Sequence, residues 1–334
     1  WLLLQPRDYL NSLQLYLGLV LMVGGVVVVA VNGGATLDAP AIREDTTDIP
    51  SLFPFLFITV ACGAISGFHS LVSSGTTARQ IRSEADGRFV AYGGMLLEGF
   101  LAVIVLLACA IAFEGVNQSW SVHYARWDGI DRSALGRFVE GSGFLISRFG
   151  IDHGFSTTLV TVIIVGFAMT TLDSGTRLLR YNVEEIAKAV KAPRLANRYL
   201  SSALAVAAIA FFALMKKDVV VEGAVQVRSA GELLWQLFGT TNQLLAGLGL
   251  LTVSVWLRRR GRPSIWTLVP MVFMMGMTLY AMILKLTDFI AATPMNVPLI
   301  LVATALLLMG GWLLVEGIIT LGRSEPTRTE TQGN

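Results

Sequence analysis

The chain of 334 residues is 54 % hydrophobic and 14 % charged, with a mean hydropathy of +0.65. A soluble domain carries about 25 % charged residues, so the composition excludes an ordinary soluble domain and specifies an all-α, polytopic transmembrane protein. The net charge of +2 comes from dispersed basic residues, which excludes a nucleic-acid-binding face. Cys62 and Cys109 both sit in apolar runs, and His69, His123 and His153 are scattered, so neither a disulfide framework nor a metal site is expected.

Charge-free runs predict eight helices. The chain opens at Trp1 without a methionine, and WLLLQP reads as the end of an earlier apolar element; the expectation is a fragment or split chain without a signal peptide. The first span is Leu13 to Val31. The second lies within Ser51 to Ala78, entered through Pro54, and the third runs from Phe89 to Phe113 around Glu98. The fourth, Gly154 to Leu172, ends at Asp173. Tyr199 to Met215 is a short fifth and Leu233 to Leu257 the sixth. Ser264 to Leu284 contains Pro270, and the eighth runs from near Pro298 to near Val315. Residues 1–322 thus read as one transmembrane domain, and 323–334 as a disordered polar tail.

Basic residues favour the cytoplasmic side of connecting segments. One alternating set of connections holds 16 Lys and Arg and the other holds 8, which predicts that both ends are cytoplasmic. Within the richer set, Arg177 to Lys191 places Val183, Ile186, Ala187 and Val190 on one face. This reads either as a surface helix meeting anionic membrane lipids or as a plain connector. The outer segment Glu114 to His153 carries Trp120, Tyr124, Trp127, Leu135, Phe138 and Val139, suiting interface anchors or an external lid.

The second span is the most unusual. Its 28 residues, Ser51 to Ala78, contain no Asp, Glu, Lys or Arg, yet Gly63, Gly67 and Gly75 interrupt it. Ser66, His69, Ser70, Ser73, Ser74, Thr76 and Thr77 crowd its second half. Backbone that loosens at membrane depth must be buried in protein or line a wet cavity, as in the discontinuous helices of secondary transporters. Tight packing through Gly63 and Gly67 is the alternative. Glu98 is a carboxyl inside a span, a position that suits a pathway or proton relay, a structural carboxylate bonded to hydroxyls, or one close enough to the interface to stay wet. His69 suits a relay or a hydrogen-bond donor, or a neutral histidine bonded to a serine. In MTTLDSGTRLLRY, the hydroxyls around Asp173 and Gly175 offer oxygens for a hard cation such as Na⁺, or Asp173 and Arg177 form an i,i+4 pair. In FGTTNQLLAG, Gly239 is expected to break the chain so that Thr240, Thr241 or Asn242 caps a new helix, ready for a carboxylate or as an ordinary cap.

Two other classes compete with transport. Gly63-Ala64-Ile65-Ser66-Gly67 slightly resembles the GxSG of intramembrane serine proteases, but His69 follows Ser66 by only three residues and no second buried histidine supplies a base. A sensor or scaffold would not need several interrupted polar helices. The stretches LQPRDYLN, FPFLFITVACGAISGFHSLVSSGTT, YGGMLLEGF, TTLDSGTRLLRY and LFGTTNQLLAGLGLL, in this order between Leu4 and Leu251, resemble the carbon starvation protein A (CstA) family. The resemblance implies a fold like the amino acid–polyamine–organocation transporters. It also implies a multi-pass protein of the bacterial inner membrane that takes up small peptides or pyruvate during starvation by proton coupling, without enzymatic activity or a bound cofactor. It places substrate at Ser66, His69, Ser73, Ser74, Thr76, Thr77, Asn242 and Gln243, and proton or ion coupling at Glu98, Asp173 and Thr176. An amino-terminal half typical of the family has no match here and is the expected partner. Asp173-Ser174-Gly175-Thr176 replaces a more usual Asp-Thr-Ala-Thr, which predicts a looser helix at that point.

Overall fold

The computed structural model describes residues 4–37, 39–42, 51–113, 124, 130–192, 194–221, 224–291 and 297–323. All eight apolar runs are helical. They form α1 (Leu4–Asn32), the pair α2 (Phe57–Ala64) and α3 (Gly67–Gly75), α4 (Glu84–Ala110), α6 (His153–Ala189), α7 (Arg198–Leu214), α8 (Ala230–Arg259), α9 (Ile265–Ala291) and α10 (Val297–Arg323). A further helix, α5 (Ile130–Ser147), lies in the long connection between α4 and α6. Among the described residues six spans are long and apolar enough to cross a membrane: α1, the α2–α3 stretch, α4, α6, α9 and α10. The fold is that of a polytopic helical membrane protein.

Local chemistry sets the helix ends. The Ser83 hydroxyl accepts the Asp86 N–H at 3.3 Å, and Glu84 and Asp86 complement the start of α4. Asn197 caps α7 by accepting the Tyr199 N–H at 2.9 Å.

The chain divides into two compact units, residues 1–50 with 83–177 and residues 51–82 with 178–334. In the first, Leu19, Met22, Val29, Ile104, Ala108, Phe144 and Leu145 form the core where α1, α4 and α5 meet. Close approach needs glycine there. A Cβ at Gly25 would lie 2.3 Å from the Leu145 carbonyl oxygen, and one at Gly141 would lie 1.9 Å from that of Ala108. The Asn11 amide ties α1 to α6 by donating to the Gly166 carbonyl at 3.1 Å and to the Thr170 hydroxyl. Strands β1 (Ala35–Leu37) and β2 (Ile111–Phe113) pair antiparallel beyond the ends of α1 and α4.

The second unit is built around α8. Leu244 and Leu251 pack with Met271, Met275, Met282 and Leu321, while Leu237, Phe289, Leu299 and Ala303 form a second cluster. Glycines at Gly310 and Gly317 let α10 close onto Leu244 and Leu251. Strands β3 (Lys216–Val221) and β4 (Ala224–Ser229) make a hairpin between α7 and α8.

Two expected breaks are absent. The helix α6 runs unbroken for 37 residues through Gly175, so Arg177–Lys191 is not a separate surface helix. At about 1.5 Å per residue it is roughly 55 Å long, well beyond a ~30 Å hydrocarbon core. Its continuity is reinforced locally: Thr176 donates to the Leu172 carbonyl at 2.7 Å, and Arg177 pairs with Asp173 at 3.0 Å. Likewise α8 passes straight through Gly239. The Thr240 and Thr241 hydroxyls donate back to the Leu237 carbonyl at 3.0 and 2.7 Å instead of capping a new helix. In the connection expected to lie outside, Phe138 packs on the first core and Leu135 is exposed. Trp120, Trp127 and the tail 324–334 lie outside the described residues.

Candidate functional site: a helix break bridged by Asn242

The break expected in the second span is present, between Ala64 and Gly67. The helix α2 stops where Ile65 turns extended (φ −136°, ψ 102°), and α3 begins after an extended Ser66 (φ −121°, ψ 135°). Each new helix end exposes backbone groups without intrahelical partners. One side chain from α8 spans the gap. Asn242 Oδ1 accepts the Phe68 N–H at 2.9 Å and the Ser66 hydroxyl at 3.1 Å, while its Nδ2 donates to Cys62 Sγ at 3.0 Å. Two donors facing one oxygen fix the amide's orientation. Asn242 therefore does from a neighbouring helix what an N-cap residue does within its own. Ser66 and Asn242 are both buried, so these bonds form out of water, where an unmet partner is costly.

Glycine makes the approach possible. A Cβ on Gly67 would lie 2.4 Å from the Asn242 carbonyl oxygen and 2.5 Å from Leu245 Cβ. One turn further along, Ser70 stands against Gly249. The helix start expected at Thr240–Asn242 is thus found instead at Gly67, with Asn242 as its partner.

The other residues proposed for this site spread along α3 and α8. His69 is exposed, as are Ser73 and Ser74, whose hydroxyls donate to the Ser70 and Leu71 carbonyls at 2.9 and 3.2 Å. Thr76 and Thr77 lie half-buried at the end of α3. Gln243 is fully buried, and neither its amide oxygen nor its nitrogen has a hydrogen-bond partner among the described residues. Sequence reasoning missed Cys62, whose position four residues before Ser66 was the available signal; of the two glycines weighed for tight packing, Gly67 is in close contact and Gly63 would meet nothing within 4 Å.

The first unit holds Glu98, Asp173 and Thr176. Glu98 is exposed and lines a cavity of about 820 Å³ with Leu101, Val105, Cys109 and Tyr124. The Tyr124 hydroxyl donates to the Cys109 carbonyl at 3.2 Å, and the Arg137 guanidinium stacks over its ring at 4.5 Å. Burial, then the neighbouring Cys109, push the Tyr124 phenol above its ordinary range, against the lowering effect of Arg137. Asp173 and Thr176 are committed to the i,i+4 pair and the backbone bond of α6. Among the described residues no cluster of His, Cys, Asp or Glu could hold a metal.

Six apolar spans among the described residues and a helix interrupted at a buried polar network define the class: a multi-pass helical membrane protein with a discontinuous span. A profile of the family Carbon starvation protein CstA matches residues 1–126 and 126–281. The chain is 31 % identical to a peptide transporter CstA from Helicobacter pylori (strain J99), over 85 % of this chain and 47 % of that one. It is 32 % identical to a peptide transporter CstA from Escherichia coli (strain K12), over 84 % and 46 %. To the pyruvate/proton symporter BtsT of the same organism it is 30 % identical, over 86 % and 48 %. No solved structure matches. The chain belongs to the CstA family, and it spans about half the length of the curated relatives it matches.

Proposed function

We propose that this chain is part of a secondary active transporter that imports small peptides or pyruvate across the bacterial inner membrane, in the response to carbon starvation. The observation that carries the reading is the α2–α3 break, held open by Asn242 and Ser66 inside a buried part of the second unit. A helix N-terminus carries roughly half a positive charge and presents N–H groups. Pyruvate and a peptide both bring a carboxylate to such a site. Ser66 and Asn242 form its floor, His69 is a hydrogen-bond donor, and Ser73, Ser74, Thr76, Thr77 and Gln243 supply further polar contacts as the site opens. The Ser66 hydroxyl donates to an amide oxygen rather than to a base, which supports binding over nucleophilic chemistry.

Glu98 carries the coupling proton in this reading, with Asp173 and Thr176 as second positions for a proton or Na⁺. The excess of basic residues on one set of connections supports cytoplasmic placement of both ends. The remaining half of the full-length protein is the partner, because relatives named as transporters are about twice as long. Uptake of labelled pyruvate and labelled small peptides, measured in cells expressing the full-length parent, tests the reading. Ser66→Ala and Asn242→Leu are expected to lose uptake while still reaching the membrane. Wild-type uptake by both variants would refute it.

A further inference from the structure

A second polar site lies one helix face away from the break; it shares Gln243 with the transport reading, but its geometry comes from the α8–α9 packing alone. On α8, Gln243, Gly247 and Ser254 fall on one stripe, four and eleven residues apart, and that stripe faces α9. Ser254 bonds the Thr267 hydroxyl at 2.8 Å, and a Cβ at Gly247 would sit 2.4 Å from Met275 Sδ. The two helices are antiparallel, so the turn that leads back from Gly247 to Gln243 leads forward from Met275 to Thr278. Gln243 and Thr278 are therefore level with each other in the seam.

Both side chains are completely buried, and neither bonds the other. Gln243 Oε1, Gln243 Nε2 and Thr278 Oγ1 have no hydrogen-bond partner among the described residues. Thr278 also differs from its neighbours in this unit. The hydroxyls of Thr252, Thr267 and Thr287 all turn back onto a carbonyl three or four residues earlier. The rest of the seam is lined by the apolar thioethers of Met271, Met275 and Met282. Polar functions left unmet in such a place are costly to bury.

We propose that the α8–α9 seam is a binding site for one ordered water, clamped by the Gln243 amide and the Thr278 hydroxyl. The donor and acceptor count selects this guest. A cation would face the amide N–H, and an anion would face the amide oxygen. No fully buried side chain among the described residues is ionisable to offset either. Water can accept the amide N–H, donate to the amide oxygen, and still bond the hydroxyl, matching the three or so bonds of a typical buried water.

Millisecond X-ray radiolysis of the membrane-reconstituted protein tests this, because radicals formed from an ordered internal water oxidise the thioether beside it to a sulfoxide. Met275 lies about one helical turn, roughly 5 Å, from Thr278. The expected result is Met275 oxidation by radiolysis but not by hydrogen peroxide added to the bulk. Thr278→Ser should keep that oxidation, and the double variant Gln243→Met, Thr278→Val should lose it. Radiolytic oxidation of Met275 no greater than in the peroxide arm would overturn the proposal in the native protein alone. Undiminished oxidation in the double variant would overturn it as well.

Discussion

At the scale of single residues, the second unit depends on one amide doing three jobs. Asn242 accepts from Ser66 and Phe68 and donates to Cys62, so replacing it strands the buried Ser66 hydroxyl and two half-buried partners at once. Asn242→Leu is expected to destabilise the protein by about 2–4 kcal/mol, since each unmet buried group costs roughly 1–3 kcal/mol. Thermal unfolding in detergent measures this, and a stability equal to the native protein's would contradict the bridging role. Gly67→Ala is expected to cost about 1–3 kcal/mol through overpacking, because its methyl group would meet the backbone of α8. The dense Ser and Gly pattern made the polar break legible in the sequence. What it bonds was not legible, because Asn242 is 176 positions away from Ser66 and its local context suggested a cap for its own helix. The Gln243–Thr278 pair was hidden for the same reason: only the register of α8 against α9 brings the two residues level.

At the scale of elements, the apolar runs located the helices well, because twenty or so residues without charge admit few alternatives in a membrane. Glycine proved the less reliable guide. Gly175 and Gly239 were expected to interrupt their helices, and α6 and α8 pass through both. A lone glycine costs a helix only about 1 kcal/mol relative to alanine, which intact neighbouring bonds readily offset. At Gly67 the helix is interrupted where a second helix presses within reach of its backbone and supplies the replacement hydrogen bond. Amide hydrogen exchange should separate these cases. Peptides covering Ala64–Gly67 are expected to exchange faster than those covering Gly175 or Gly239, and the reverse order would contradict the assignment of breaks.

At the scale of the whole molecule, the proposed orientation and coupling rest on charge. In the proposed arrangement with both ends cytoplasmic, single cysteines replacing Arg79, Lys188 or Arg259 should react only from the inner side of the membrane, and one at Asp131 only from the outer side. Labelling of Lys188→Cys from outside intact cells would overturn the arrangement. In the full-length parent, Glu98→Gln keeps shape and hydrogen bonding but removes the titratable charge. It should abolish pH-driven accumulation in vesicles while leaving substrate binding measurable; accumulation with native pH dependence would assign Glu98 a structural part. The central claim, that substrate sits at the α2–α3 break, is tested most directly by protecting that break with substrate. In the full-length parent with Cys62 and Cys109 replaced by serine, a single cysteine at His69 should react with a small alkylating reagent. Saturating pyruvate or peptide, whichever the protein takes up, is predicted to slow that reaction markedly, whereas an alkylation rate unchanged by every transported substrate would contradict the account.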